Sequence, residues 1–416
     1  MQNRRDAIYQ KSLDCVHCGL CLPTCPTYRE TGRETSSPRG RIYLMRGLAE
    51  GKVPMADPLA EEAYLCLGCR ACETACPSGV EFGSMLELLR AEVEEAGLRR
   101  GWAKRIETFA LREILPRRAL LGGLVSLLGV AQRLGLDRML LPLVPAALRK
   151  AHASLPTVPA RSERRRAPGC TPARGERRGS VAFFEGCLMP ELFAPVNAAT
   201  LRVLARNGFE VRSPADQGCC GALHAHAGDA AFARDLARRN VAAFAVESVD
   251  AVVVNSAGCG AAMRDAAEWL PNEGGDFAAR VRDVCEWLDA AGLSAPLGTI
   301  DAKVCYDDPC HLVHAQRVQQ APRRLLSAIP GLTLVPHDDP SACCGAAGIY
   351  SLTHPEMSSA VLDRKLDALE AADPDIIATG NPGCLMQLRA GAAGRGMRAR
   401  VVHPIELIDE AQRRAE

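Results

Sequence analysis

Four cysteines recur in the same order twice, and this repetition constrains the fold more than any other feature of the 416-residue chain. In the first copy they are Cys187, the pair Cys219 and Cys220 within "GCCG", and Cys259; in the second they are Cys310, Cys343 and Cys344 within "ACCG", and Cys384. The second set trails the first by 123 residues at the leading cysteine, 124 at each member of the pair and 125 at the last, the mark of an internal duplication. Between the cysteines each copy alternates strand and helix patterns. The first runs "VAFFEGC", "NAATLRVLARNG" closed by Gly208, "FEVRSP", "AAFARDLARRNVAAFAVE" and "AVVVNS". The second runs "KVCYDDPC", "APRRLLSAIPG", "LTLVPH", "LDRKLDALEAA" and "DIIATG". Such alternation builds a parallel sheet covered by helices, and the loops leaving the carboxyl ends of its strands gather on one edge, where ligands bind. All four cysteines of each copy fall on those loops, among helix N-termini that favour anionic groups, so each copy is expected to converge four sulfurs. An iron-sulfur cluster, a zinc ion, or a thiol site and docking surface without cofactor all satisfy that pattern.

The front of the chain carries a second duplication. "CVHCGLCLPTCP" holds Cys15, Cys18, Cys21 and Cys25, and "CLGCRACETACP" holds Cys66, Cys69, Cys72 and Cys76. Three thiols at i, i+3 and i+6 reach three corners of a cubane, while the fourth, followed by proline, lies too far along the next helix to close the same one. This is the pattern of two-cluster bacterial ferredoxins, in which the fourth cysteine serves the opposite 4Fe-4S cluster. Cys15, Cys18, Cys21 and Cys76 are therefore expected to hold one cluster, and Cys25, Cys66, Cys69 and Cys72 the other. Structural zinc takes two close pairs separated by a longer loop and has no use for three consecutive thiols. Small or apolar neighbours (Gly19, Leu20; Gly68, Ala71) let backbone amides approach the sulfurs. Between the runs, "SSPRGRIYLMRGLAE" reads as a helix starting after Pro38.

Nineteen cysteines with no apolar leader in "MQNRRDAIYQKSLDC" suggest metal-binding thiols in a reducing cytoplasm rather than disulfides. Cys170, Cys285 and Cys305 belong to neither pattern and read as inert. A formal net charge of +1 gives no global pull toward nucleic acid or an anionic membrane. "ALLGGLVSLLGVAQ", residues 119–132, is shorter than the roughly 20 residues a membrane-spanning helix needs. It reads as a buried or packing helix, with a peripheral membrane or partner contact as the alternative for residues 119–148. The stretch 160–180 reads as an exposed basic linker. His224, His226, His311, His314 and His354 lie near repeat cysteines, each read first as a structural imidazole, and His17 sits within a cluster loop. No G-x-G-x-x-G follows a strand, so the chain offers no flavin site and no catalytic residue of its own for hydride chemistry.

Taken with "CPTY", "SPRGRIYL", "CETACPSGV", "GCCGALHAH", "SAGCGA" and "CCGAAGIYSLTHPE", these motifs resemble, over nearly the whole chain, the iron-sulfur subunit of bacterial glycolate oxidase (glycolate dehydrogenase). Relatives include iron-sulfur proteins of lactate utilisation, anaerobic glycerol-3-phosphate dehydrogenase and heterodisulfide reductase; where the last has a further cysteine, this chain has Ala262 and Gln387. The resemblance implies a subunit that relays single electrons from FAD-containing partner subunits, one of which oxidises glycolate to glyoxylate, toward a quinone or other acceptor, with peripheral association at the inner face of the cytoplasmic membrane. It implies two 4Fe-4S clusters, one or two further clusters in the repeats, and FAD in the partners only. A lactate or glycerol-3-phosphate dehydrogenase subunit, or a thiol/disulfide reductase, is the alternative. The expected fold is α/β overall: an α-helical two-cluster ferredoxin-like domain (1–100), a helical segment and linker (101–180), then two duplicated parallel-sheet cysteine-rich repeats (181–300 and 301–416).

Overall fold

Each half of the duplication folds into its own parallel sheet in the computed structural model, which describes residues 2–140, 152, 155–245 and 248–416. The first sheet contains β1 (Cys170–Thr171), β2 (Gly179–Phe184), β3 (Phe209–Arg212), β4 (Ala251–Val254) and β5 (Val281–Asp283) in the order β1-β3-β2-β4-β5. The second contains β6 (Ala302–Tyr306), β7 (Leu332–Leu334), β8 (Ile376–Ala378) and β9 (Arg400–Val402) in the order β7-β6-β8-β9. Apart from β1, which pairs antiparallel with β3, every pairing is parallel and the two orders are equivalent. Helices cover both faces, which is why β4 reads as an unbroken apolar run and is buried throughout.

The repeats embrace each other through exchanged helices. The helix Ala194–Arg206 of the first repeat packs on the last helix of the second, Pro404–Ala415, and Val284–Ala291 packs on Gln320–Ser327 in the mirrored arrangement. Arg202 and Arg206 both reach the buried Asp409 carboxylate, at 2.7 and 2.8 Å. His403 Nε2 donates to the Asn255 carbonyl (3.1 Å), and the Ala257 N–H donates to Gly380 O (3.1 Å).

The front of the chain is helical. Gln2–Ser12, Pro38–Ala49, Asp57–Leu65 and Phe82–Glu95 close over a core that includes Ile8, Ile42, Met45, Leu48, Met85 and Leu89. The helix read to start after Pro38 does so, with Ser37 Oγ accepting from the Gly40 N–H (3.0 Å) and proline at the first helical position. This unit is fastened to both repeats: Arg70 makes a bidentate contact with Asp265 (3.1 and 3.2 Å), and Tyr350 Oη donates to Leu65 O (2.7 Å).

The 160–180 stretch is largely exposed but tied to the body: β1 lies within it, and Arg164 is sunk between Glu191 (2.9 Å) and Ser126 (2.7 Å). The apolar stretch forms the helix Arg118–Arg133, but burial is confined to one stripe, Leu121, Val125 and Gly129. Leu120, Leu124, Leu127 and Val130 face outward, as do Trp102, Ile106 and Phe109 of the helix Trp102–Phe109. Among the described residues no single helix is long and apolar enough to cross a membrane; these two stretches meet at 111°. Most of the remainder of the 119–148 segment, residues 141–148, lies outside the described residues.

Candidate iron-sulfur centres

The two cysteine runs take up the same backbone path. His17 and Gly19 in the first, and Gly68 and Arg70 in the second, occupy the left-handed region at matching positions around the second cysteine, with φ of 56°, 86°, 66° and 62°. Successive turns of this kind point backbone N–H groups inward and make a concave site for an anionic group; the Gly68 N–H lies 3.4 Å from Cys66 Sγ. Glycine suits that conformation, whereas His17 and Arg70 adopt it at a cost the surrounding contacts offset.

Each loop walls a cavity. One is lined by Cys15, Cys18, Cys21 and Cys76 together with Cys72. The other is lined by Cys25, Cys66, Cys69 and Cys72. Thus Cys76 of the second run lines the first cavity, Cys25 of the first run lines the second, and Cys72 lines both. Pro38 and Phe82 line both cavities and form part of the partition. Burial pushes the Cys69 and Cys72 thiols well above their usual range. Four thiols, inward N–H groups and a small apolar lining fit a 4Fe-4S cube in each cavity.

In the repeats the four thiols also meet. Cys187 and Cys219 are 3.6 Å apart, and Cys220 touches both Cys219 and Cys259. Cys344 and Cys384 are 3.3 Å apart, and Cys343 touches Cys310 and Cys344. Each set is drawn from the loops after the first two strands and the first turn of the helix after the third. Four thiols are the donor set of a thiolate-bound metal or cluster, and here they pack directly against one another. The two sets differ in surroundings: Cys310 Sγ sits 3.5 Å from His311 Nδ1, and Cys343 shares a buried patch with Cys69 and Leu67 of the front unit. Cys170 is exposed, while Cys285 and Cys305 are buried.

A 4Fe-4S dicluster domain profile matches residues 11–80, and a cysteine-rich domain profile matches residues 181–264 and 304–389. The chain is 38% identical over 417 residues to a probable glycolate oxidase iron-sulfur subunit of Bacillus subtilis, covering 96% of this chain and 94% of that protein. It is 36% identical to the glycolate oxidase iron-sulfur subunit of Escherichia coli, covering 95% and 93%. The chain belongs to the glycolate oxidase iron-sulfur subunit family. It is also 27% identical to one subunit of a dihydromethanophenazine:CoB–CoM heterodisulfide reductase of Methanosarcina mazei, over 97% and 95% of the two chains.

Within this family member, sequence reasoning missed the buried arginines. Arg41, 2% exposed, donates to Ser36 O (2.7 Å), Thr27 Oγ1 (3.0 Å) and Glu62 O (2.8 Å) and lines the second cavity. Arg90 donates to Cys66 O (2.6 Å), Ala63 O (3.1 Å) and His226 O (3.0 Å). With Arg70, these place three guanidinium groups around the second cysteine run. Arg41 stands in "SPRGRIYL", where three basic or polar residues in an amphipathic helix gave no sign that one of them turns inward.

The histidines divide. His224 Nε2 donates to Leu111 O (2.8 Å) and His314 Nε2 to Ser341 O (2.9 Å), with His314 Nδ1 2.9 Å from Thr74 Oγ1, all structural roles. His226 and His311 face each other with ring centres 5.4 Å apart.

Proposed function

We propose that this chain relays single electrons within a glycolate-oxidising complex, from an FAD-containing partner subunit that converts glycolate to glyoxylate toward a membrane quinone or another acceptor. The observation that carries the reading is the pair of thiol-lined cavities with crossed cysteines and a shared partition. Cys15, Cys18, Cys21 and Cys76 would hold one 4Fe-4S cluster and Cys25, Cys66, Cys69 and Cys72 the other; the repeat sets Cys187, Cys219, Cys220, Cys259 and Cys310, Cys343, Cys344, Cys384 would hold one or two more. A 4Fe-4S cluster supplies reversible one-electron transfer and no hydride chemistry. The protein's part is to exclude water, direct N–H groups at the sulfurs and place buried guanidiniums beside them; the N–H groups and the positive charge favour the reduced, more negative form. The division into 1–100, 101–180, 181–300 and 301–416 follows these roles.

The outward faces of Trp102–Phe109 and Arg118–Arg133 support peripheral attachment to an anionic bilayer surface at the cytoplasmic side. Eight Lys and Arg against two Glu lie between residues 99 and 136, whereas the whole chain is nearly neutral. An apolar stripe with aromatic residues and cationic flanks is the composition of a helix lying in a lipid interface.

Replacing Cys18 or Cys69 with Ser tests the relay. Each variant is expected to lose about four irons per chain and to abolish glycolate-driven reduction of a dye by the assembled complex. Unchanged turnover in both would rule the relay out.

A further inference from the structure

Beside the second thiol site, a solvent-open cleft lies where the front unit and both repeats meet. Tyr64, Cys66 and Leu67 supply one wall, His226 of the first repeat a second, and Tyr350 and His354 of the second repeat a third. Two of these walls are flat plates. Tyr350 and His354 lie stacked, 4.5 Å between ring centres with 14° between their planes, and the Arg99 guanidinium lies 4.0 Å above the centre of the Tyr64 ring.

Most polar groups of the lining are already engaged. Tyr350 Oη donates to Leu65 O (2.7 Å), Tyr64 Oη to Glu94 (2.8 Å) and Arg99 to Glu94 (2.9 Å) and Glu107 (2.6 Å); Arg90 is spent on three backbone carbonyls. The imidazoles are not. His354 uses only Nδ1, against Thr353 Oγ1 (2.9 Å), and among the described residues the His226 ring makes no hydrogen bond. Burial and the neighbouring guanidiniums hold both rings below the usual histidine range, with His311 adding to the effect at His226. Both are therefore neutral near pH 7, and each has an N–H to give. Among the described residues no carboxylate lines the cavity, while Arg90 and Arg99 do. A ligand suited to this lining is flat and conjugated, carries hydrogen-bond acceptors and bears no positive charge.

We propose that this cavity receives the ring of a quinone, with His226 and His354 donating hydrogen bonds to its carbonyl oxygens between the aromatic plates. The assignment rests on the electron-transfer reading above and gives it a place for its acceptor, against the loop that carries Cys66. The conversion balances: the 2-hydroxy acid loses two electrons and two protons as its C–H and O–H bonds give way to C=O, and the quinone takes up two of each to leave as quinol. Arg99, at the edge of the cavity, bonds Glu107 of the helix Trp102–Phe109. An apolar tail leaving past Arg99 thus meets the helix whose Trp102, Ile106 and Phe109 stand exposed.

Photolabelling of the iron-loaded full-length chain with an azido-substituted short-chain benzoquinone tests the assignment. Label is expected on the peptides bearing Tyr64 or Tyr350, competed away by unlabelled quinone. His226→Leu and His354→Leu should each weaken binding about tenfold, the loss of one hydrogen bond to a buried carbonyl. His354→Gln, which keeps a donor, should retain most of the labelling. Label confined to residues 102–133, or unchanged in both leucine variants at wild-type iron content, overturns the assignment. Dye reduction by the wild-type complex separates the two readings: its absence overturns the electron-transfer role itself, whereas dye reduction without label in the cavity overturns only the quinone site.

Discussion

Arg90 is 4% exposed and gives its guanidinium N–H groups to backbone carbonyls at Cys66, Ala63 and His226. A buried cation costs several kcal/mol in desolvation unless its partners are well placed, and here they come from the loop of the second cavity, the helix before it and the first repeat. Its charge also faces the thiol set at close quarters, where the local dielectric is low. Arg90→Met should lower the reduction potential of the cluster proposed for Cys25, Cys66, Cys69 and Cys72, because a positive charge that favours the reduced form is gone. It should also destabilise the chain by about 3 kcal/mol, since one buried and two part-buried carbonyls lose their donor. EPR-monitored redox titration and thermal unfolding measure the two effects; a potential that stays fixed would remove Arg90 from the electrostatic account. The eight front cysteines were legible because a thiol every third residue has few physical explanations. Arg41 and Arg90 were not, because a lone arginine in a helix looks the same in sequence whether it faces solvent or a buried carbonyl.

At the scale of elements, periodicity and the internal repeat anticipated the main strands and helices of both sheets. Of the short strands, β1, β5 and β9 escaped. β5 is the three residues "VRD" and β9 "RVV", too brief and too charged to show alternation, and both are specified by the parallel neighbour they extend. β1 sits in a basic stretch whose composition gave only a loop, and is held by pairing with β3. The helix Pro404–Ala415 begins at His403, whose Nδ1 accepts from the Ile405 N–H (3.1 Å) while Nε2 donates to Asn255 in the other repeat. Burial depresses this imidazole to about 3, since a second ring proton would face the Ile405 N–H. In the unfolded chain the same histidine titrates near its ordinary value of about 6.5. Its contribution is therefore complete above that pH and is lost as the pH falls toward the folded value, by about 2 kcal/mol at pH 5. Chemical denaturation at pH 7 and pH 5 should show that loss in the wild type and little of it in His403→Asn; an equal loss in both would place the acid sensitivity elsewhere.

Across the whole molecule, the front unit holds its two thiol cavities within itself and packs on both repeats, and the helices of residues 102–133 leave an apolar stripe outside. That stripe makes a testable demand. Leu124→Glu with Leu127→Glu should leave the fold intact, both side chains being exposed at 49% and 68%, and should reduce cosedimentation with phosphatidylglycerol vesicles at least about tenfold, as expected when two leucines no longer enter the interface. Wild-type binding should weaken with added salt as the flanking arginines are screened. Binding that ignores both changes would assign the stripe to a protein partner. The central claim, that the front cysteines hold two clusters by crossed ligation, is tested most directly by iron and acid-labile sulfide per chain on anaerobically purified protein, with EPR of the reduced state. The account predicts at least about eight of each and the broadened signal of two neighbouring spins, rising toward about 12 or 16 as the repeats are loaded. A chain that folds with about four irons or fewer, or with zinc in their place, would contradict it.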